Sequence, residues 1–434
     1  MHTMTRTTYY VEKTLTALEK FFKTDVRGFA KQGAWSSLGK IGTAAIAFLL
    51  SILYARYLSK ELYGSYRYVA SVLGMLALFS LSDLGSIITR AVARGFDGTA
   101  ARGIKIIFFS SCGIGVASGI ASVWFFWQGD TALGGAFLIS ALISPAVEGL
   151  GGWRPYLDGK KDFRTKALRN VGIQIFYAAL VASAIAIITL EKLSLAPALG
   201  LFLAATLLGN AIPNLLFSRQ ILSSIARVRT TQEPGAIRYG LHLSLIKIPA
   251  TIANYIDSVL LYTYLGPAQL ALYSFALAPT EQMKNLLGNI ADIALPHLSE
   301  RTVTHEGTAQ MRATLPKKLA KAILPTLALM LTYIALAPFF FSTFFPRYVA
   351  AIPFSQILAL SLVFFPLGIF GTAIKAEGHI KSVYIYELCP PLIQILAFVI
   401  LIPLYGLWGA VIGKLLGRLI NNIVQSLLYM YARF

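Results

Sequence analysis

Residues 37–41 read Ser-Leu-Gly-Lys-Ile, and residues 244–248 read Ser-Leu-Ile-Lys-Ile, so the same pattern returns after 207 residues. Further pairs coincide at this offset without a gap: Ser51 with Ser258, Leu53 with Leu260, Tyr57 with Tyr264, Leu58 with Leu265, Tyr66 with Tyr273 and Arg94 with Arg301. A parallel repeat in an apolar chain predicts two similar helical bundles related by an axis along the membrane normal, with a substrate path between them.

The composition around this repeat is that of an integral membrane protein. The 434 residues are 56% hydrophobic and 13% charged, with a mean hydropathy of +0.66. A soluble domain cannot bury that much apolar surface. The net charge of +19 does not indicate nucleic-acid binding, because its basic residues collect in the loops. The fold class we predict is all-α, with about twelve transmembrane helices in two pseudo-symmetric six-helix lobes.

Twelve apolar segments are each long enough to cross a bilayer, which takes roughly 20 residues. They are 33–57, 66–89, 104–127, 132–156, 166–190, 195–218, 239–264, 270–295, 320–345, 352–374, 382–404 and 406–431. The loops on one side of the predicted membrane are strongly basic. The loops on the other side have few basic residues, chiefly Lys60, Lys192 and Arg347. The positive-inside rule and the even number of spans predict that both termini are cytoplasmic.

The chain divides into four parts. Residues 1–32 are expected to form a cytoplasmic or interfacial amphipathic segment, because apolar residues recur there at spacings of three and four among charged ones. Residues 33–222 form the N-terminal lobe, 223–237 a polar linker broken by Pro234-Gly235, and 238–434 the C-terminal lobe.

Charged residues inside spans are the candidates for function, because a charge in hydrocarbon costs at least about 2.5–3.5 kcal/mol unless it faces a cavity, a partner or the interface. Lys40 and Lys247 are related by the repeat. If they face each other, their two positive charges would attract an anion. Alternatively, each side chain extends to the membrane surface and has no role in binding. Lys414 and Arg418 lie deep on one face of the twelfth span and are the best candidates for a cationic lining.

Three acidic residues are candidates for binding a coupling proton or cation: Asp257 in the seventh span, and Glu281 and Asp292 in the eighth. Burial disfavours the charged carboxylate, which suits such a role, and a structural ion pair is the alternative. Uncharged polar residues on the same faces are expected to line the cavity: Asn254, Asn285, Asn289, Asn421 and Gln425. Arg56 and Arg67, which flank the first outer turn, are interpreted as interfacial anchors.

The sequence has no Walker loop, no dinucleotide fingerprint and no His/Cys cluster with metal-ligand spacing. We therefore expect no catalytic residues, no metal and no cofactor. Transport would then be driven by a gradient or by the substrate itself, unless a partner protein supplies ATP.

Residues 55–66, Ala-Arg-Tyr-Leu-Ser-Lys-Glu-Leu-Tyr-Gly-Ser-Tyr, end the first span, and residues 264–274 form a second copy. With Asp83-Leu84-Gly85 and Pro296-His297-Leu298-Ser299, they resemble the polysaccharide exporters of the multidrug/oligosaccharidyl-lipid/polysaccharide (MOP) superfamily, the Wzx-type flippases. Ser59 stands where that family usually has glycine. The twelve-span layout extends the resemblance over nearly the whole chain.

The resemblance implies a MATE-like fold and alternating access in the cytoplasmic membrane of a bacterium or archaeon. The implied substrate is a polyprenyl-diphosphate-linked oligosaccharide, moved to the outer leaflet for cell-surface polysaccharide synthesis. Its diphosphate would need the cations at Lys40, Lys247, Lys414 and Arg418, and its lipid tail a lateral gap between the lobes. Expected partners are this lipid-linked glycan, membrane lipid and the polysaccharide polymerase or chain-length machinery, but not nucleic acid.

Two other functions stay open at the level of the sequence. A multidrug or cation antiporter of the same fold would favour an acidic, aromatic cavity, which the deep lysine and arginine oppose. A non-transporting scaffold of a polysaccharide synthase complex is the third possibility.

Overall fold

The computed structural model describes the backbone of residues 26–81, 83–226, 231–301, 305–377 and 380–431. Side chains are described for these residues except 26–34, 36, 286, 288–301, 305–314, 318, 375, 376 and 380. Most of the predicted amphipathic segment 1–32 therefore lies outside the described residues. Within the described ranges the chain is helical and contains no strand, which confirms the all-α class.

Each of the twelve predicted spans is helical in the structure. The α-helices are α1 Val26–Tyr57, α2 Lys60–Leu76, α3 Leu84–Ala93, α4 Asp97–Trp127, α5 Thr131–Gly149, α6 Trp153–Gly159, α7 Phe163–Leu190, α8 Leu195–Ala226, α9 Ala236–Ile246, α10 Ile248–Leu265, α11 Pro267–Arg301, α12 His305–Phe344, α13 Ile352–Ala359, α14 Ile369–Glu377, α15 Ile380–Tyr405 and α16 Leu407–Tyr431. Short 3₁₀ helices cover Ala77–Ser80, Pro346–Ala351 and Leu360–Gly368. The second, fourth, seventh and tenth spans are thus each built from more than one helix.

By length and hydropathy, eight of these spans are apolar enough to cross a membrane in the described part of the chain, or nine with the bent second span. The predicted spans outside this group are the seventh (α9 and α10), the eighth (α11) and the twelfth (α16). These three spans carry all the candidate acidic and basic residues except Lys40. Such polar helices are stable in a membrane where their polar side chains face protein or water rather than lipid.

We call the helices of spans one to six the N-lobe and those of spans seven to twelve the C-lobe. The lobes meet mainly through α2, which packs against α10 and α11, and through α3, which packs against α9. Gly64 permits the closest approach, because a Cβ atom there would lie 1.9 Å from the backbone oxygen of Pro267. Ser59 caps α2 by accepting a hydrogen bond from the amide of Leu62 at 3.1 Å.

Two breaks in the helices lie side by side between the lobes. The second span bends by 47° between Ser80 and Leu84, and Leu81 there adopts a positive φ of 49°. The seventh span breaks at Lys247, two residues before Pro249. Asp83 and Lys247 join the breaks in an ion pair of 2.5 Å, so a charged contact between the lobes holds both kinks.

The end of the molecule away from the basic loops is closed by aromatic packing. Phe275 stacks on Tyr348 with ring centroids 3.9 Å apart and contacts Tyr63 at 4.9 Å. Arg347 donates a hydrogen bond to the backbone oxygen of Leu58 at 3.3 Å. These contacts connect the N-lobe to the C-lobe at this end.

Candidate functional site

A cavity of about 620 Å³ lies in the C-lobe. It is bounded by α10, α11, α14, α15 and α16, together with Arg67 of the N-lobe. We call it the C-lobe cavity. Seven of the predicted site residues line it: Asn254, Asp257, Glu281, Lys414, Arg418, Asn421 and Gln425.

Small residues on α16 explain how these polar faces come together. The side chain of Gln394 on α15 occupies the space beside Gly417, where a Cβ atom would lie 2.4 Å from its carbonyl carbon. Lys414 and Arg418 are one helical turn apart on α16 and enter the cavity on either side of this contact.

Lys414 and Asp257 form a buried ion pair. The Nζ of Lys414 lies 3.0 Å from Oδ2 of Asp257, and the side chains are 8% and 1% exposed. The hydroxyl of Tyr273 donates a second hydrogen bond to the same carboxylate oxygen at 2.8 Å. Lys414 also donates to the backbone oxygen of Asn254 at 3.4 Å. A buried pair needs such additional hydrogen bonds to offset its desolvation.

Arg418 and Glu281 form the second ion pair of the cavity. Lys284, one turn from Glu281 on α11, lies 3.4 Å from the same carboxylate group. Arg418 also donates to the hydroxyl of Ser361 at 2.8 Å. The sequence assigned the basic residues to substrate and the acidic ones to a coupling ion, whereas the structure joins them in pairs.

The charges lining the C-lobe cavity are nearly balanced. Four cations and three carboxylates contribute: Arg67, Lys284, Lys414 and Arg418 against Asp257, Glu281 and Glu387. The cations remain beside open cavity volume, so an anion that enters can compete with the carboxylates for them. Exchange of ion-pair partners is therefore the chemistry that this arrangement permits.

The other predicted residues lie elsewhere. Lys247 pairs with Asp83, and Lys40 lines a separate N-lobe cavity of about 190 Å³ with Arg154 and Lys166, so the two repeat-related lysines do not face each other. Asn285 is exposed and does not line the C-lobe cavity. The side chains of Asn289 and Asp292 lie outside the described residues.

Arg67 was interpreted from the sequence as an interfacial anchor, and this is wrong. Its Nε donates to the hydroxyl of Ser274 at 3.3 Å across the lobe boundary, and these two positions are themselves related by the 207-residue repeat. Arg67 lines the C-lobe cavity and also a second cavity of about 360 Å³.

The second cavity, which we call the tyrosine cavity, was not predicted from the sequence. Its lining includes Tyr54, Tyr63, Tyr66 and Tyr177. The spacing of Tyr63 and Tyr66 on one helix face was the signal in the sequence.

An apolar cleft lies between the lobes, with a volume of about 410 Å³. It is bounded by α1 on one side and by α11 and α12 on the other, with residues such as Phe48, Phe275, Met283 and Leu336. The cleft adjoins the tyrosine cavity, because Ala47 and Gln282 line both spaces.

Among the described residues no group of three His, Cys, Asp or Glu side chains is arranged to hold a metal ion.

Comparison with known proteins places these features in a family. The model of a family described as "Polysaccharide biosynthesis protein" matches residues 29–301, which is more than half of the chain. No curated protein matches the sequence significantly.

Solved structures of MOP-superfamily transporters share the fold. The lipid II flippase MurJ in an inward closed conformation superimposes with a TM-score of 0.65 at 13% identity, over 92% of this chain and 87% of that one. A multidrug resistance MATE family transporter of the MOP superfamily, in an outward-facing conformation, gives 0.58 at 16% identity, over 92% and 94%. A MOP superfamily transporter from Pyrococcus furiosus, described as having a binding pocket of reverse polarity, gives 0.60 at 16% identity, over 92% and 94%.

Proposed function

Because the chain belongs to the polysaccharide biosynthesis protein family and has the fold of MOP-superfamily transporters, we propose that it flips a polyprenyl-diphosphate-linked oligosaccharide across the membrane. Movement runs from the cytoplasmic to the outer leaflet by alternating access of the two lobes. The protein acts as a transporter in cell-surface polysaccharide synthesis and catalyses no covalent step.

The C-lobe cavity carries this proposal. Lys414 and Arg418 offer two cations on one face of α16, inside about 620 Å³ of space whose lining also includes the amides Asn254, Asn421 and Gln425. A diphosphate carries several negative charges and accepts strong charge-assisted hydrogen bonds from lysine and arginine. Such a group would take these cations from Asp257 and Glu281.

Release of the carboxylates gives a route to coupling. When the diphosphate binds Lys414 and Arg418, the buried Asp257 loses its cation, and Glu281 keeps only Lys284. An unpaired buried carboxylate is stabilised by taking up a proton or a cation. Substrate binding would thereby favour uptake of the coupling ion at the acidic residues, and ion release would favour return of the original pairs.

The apolar cleft supports the lipid part of the proposal. It opens between α1 of one lobe and α11 and α12 of the other, where a polyprenyl chain can remain in contact with membrane lipid. The head group then enters the polar cavities while the chain stays in an apolar environment. Burial of the chain in the cleft costs little, because each CH₂ group leaves one apolar environment for another.

The charge asymmetry of the loops sets the orientation. On the positive-inside rule we propose that the basic loops and both termini lie on the cytoplasmic side, in the cytoplasmic membrane of a bacterium or archaeon. The lipid-linked substrate reaches the protein from glycosyltransferases on that side, and a polysaccharide polymerase or chain-length machinery receives it on the other side.

Removal of the two cations tests this proposal in cells. A deletion strain complemented with Lys414→Ala/Arg418→Ala should lose surface glycan and accumulate lipid-linked precursor, while the variant remains in the membrane at normal abundance. Lys105→Ala, at an exposed position on α4, is the matched control and should restore surface glycan. Normal surface glycan in the double variant would contradict the assignment. Loss of drug resistance with unchanged glycan in the deletion strain would instead identify an antiporter.

A further inference from the structure

The tyrosine cavity is a polar space lined by residues of both lobes, and the proposed transport step gives it no role. Its lining differs in kind from that of the C-lobe cavity. Besides the tyrosines it contains the amides Gln174, Asn210 and Gln282, and Arg67 is the only charged residue among the described residues that line it. The cavity therefore offers neutral hydrogen-bonding groups rather than ion pairs.

The tyrosine rings are held in place by packing. Tyr54 and Tyr66 both make edge-to-face contacts with Phe202, with ring centroids 5.4 Å and 4.8 Å apart. Tyr63 packs on Phe275, and the hydroxyls of Tyr54 and Tyr177 lie 3.3 Å apart. Aromatic rings fixed in this way present a preorganised surface, which lowers the entropy cost of binding.

This lining matches the chemistry of a neutral sugar. Hydroxyl and amide side chains both donate and accept hydrogen bonds, as sugar hydroxyls do. The aromatic rings add apolar surface for the C–H groups of a pyranose ring. A phosphate would find only one cation here, whereas the C-lobe cavity has four.

We propose that the tyrosine cavity binds the sugar residues of the lipid-linked glycan, and that the C-lobe cations bind its diphosphate. This inference rests on the proposed function and assigns the parts of the substrate to separate spaces. It makes the tyrosine cavity the part of the transporter that distinguishes one glycan from another.

The three spaces adjoin one another. The apolar cleft adjoins the tyrosine cavity at Ala47 and Gln282, and the tyrosine cavity adjoins the C-lobe cavity at Arg67. A diphosphate on the C-lobe cations and sugars among the tyrosines can therefore be joined at Arg67, which lines both spaces. Because Arg67 is bonded to Ser274 of the other lobe, a substrate that spans the two spaces contacts the boundary between the lobes.

The test uses the purified full-length protein in proteoliposomes and two probes. One probe is the lipid-linked glycan fraction extracted from membranes of the source cells, and the other is sugar-free polyprenyl diphosphate as a competitor. The double variant Tyr66→Phe/Tyr177→Phe removes two hydroxyls and keeps the rings. Tyr68→Phe is the control, because Tyr68 lies on the same helix and stacks on Tyr262 outside the cavity.

The double variant should raise the KM for the glycan roughly ten-fold, because each lost hydrogen bond is worth about 0.5–1.5 kcal/mol. Inhibition by sugar-free polyprenyl diphosphate should be unchanged. The Lys414→Gln/Arg418→Gln variant, which should not transport the glycan, should instead lose direct binding of sugar-free polyprenyl diphosphate, whereas the tyrosine double variant should keep it. Tyr68→Phe should behave as the wild type.

A wild-type KM in the tyrosine double variant, or an equal loss of glycan transport and of inhibition, would overturn the sugar assignment and leave the proposed function standing. A wild-type protein that does not move the glycan fraction at all would overturn the proposed function and this inference with it.

Discussion

Asp257 and Lys414 show at the residue scale why charges can remain inside a membrane helix. Each was recognisable from the sequence because it interrupts an apolar span, and a charge there is costly. The structure pairs them at 3.0 Å with almost no exposure to solvent. Their interaction, together with the hydrogen bond from Tyr273, makes the two charges tolerable only as a pair.

Removal of one charge of the pair should therefore lower the free energy of unfolding more than removal of both charges. Asp257→Asn leaves the ammonium of Lys414 buried without a counter-ion, and we expect it to lower the free energy of unfolding by about 3–5 kcal/mol. Asp257→Asn/Lys414→Gln leaves no buried charge and should recover much of that loss. Reversible unfolding of the detergent-solubilised variants measures both effects, with Lys105→Gln as control. Additive losses in the double variant would show that the charges do not interact.

The partners themselves could not be predicted at this scale. Lys247 was expected to face Lys40, yet it pairs with Asp83, which lies 164 residues away in sequence. Arg67 looked like an anchor because it lies near a turn, and only the packing of α2 against α11 brings it to Ser274. Hydropathy identifies buried charges, but the choice of partner depends on the relative rotation of helices, which leaves no periodic signal in one sequence.

At the scale of elements, the twelve spans followed from hydropathy, and the breaks within them did not. The kinks of the second and seventh spans arise at Leu81 and Lys247, in stretches that read as continuous apolar helices apart from Asp83 and Pro249. The Asp83–Lys247 pair connects these two kinks. Span counting cannot detect such features, because a bent helix has the same composition as a straight one.

The closest contact between elements lies at Gly64 on α2, against the backbone of Pro267 at the start of α11. Gly64→Ala places a methyl group where 1.9 Å separates it from a carbonyl oxygen, so the two helices must move apart. Overpacking of this kind typically lowers the free energy of unfolding by about 1–3 kcal/mol. We expect the displaced helices to reduce transport about ten-fold or more, while helix content stays the same.

Gly135→Ala on α5 is the matched control, since a Cβ atom there would meet nothing within 4 Å. Flipping assays and circular dichroism on both variants measure the difference. Full activity of Gly64→Ala would show that close packing of α2 on α11 is not required for transport.

At the scale of the whole molecule, contacts between the lobes occur near both ends. Asp83–Lys247 lies toward the basic loops, and the contact of Phe275 with Tyr63 and the bond from Arg347 to Leu58 lie at the opposite end. Alternating access requires one set to open while the other holds. The repeat in the sequence predicted two lobes of this kind, whereas the division into three binding spaces emerges only from their packing.

These three spaces define the central claim, that an apolar cleft, a charged cavity and a neutral cavity together move a lipid-linked glycan between leaflets. The most direct measurement is the flipping of the extracted lipid-linked glycan by purified protein in proteoliposomes. Wild-type protein should move the glycan far faster than protein-free vesicles or vesicles holding Lys414→Gln/Arg418→Gln. Equal rates in all three preparations would contradict the account.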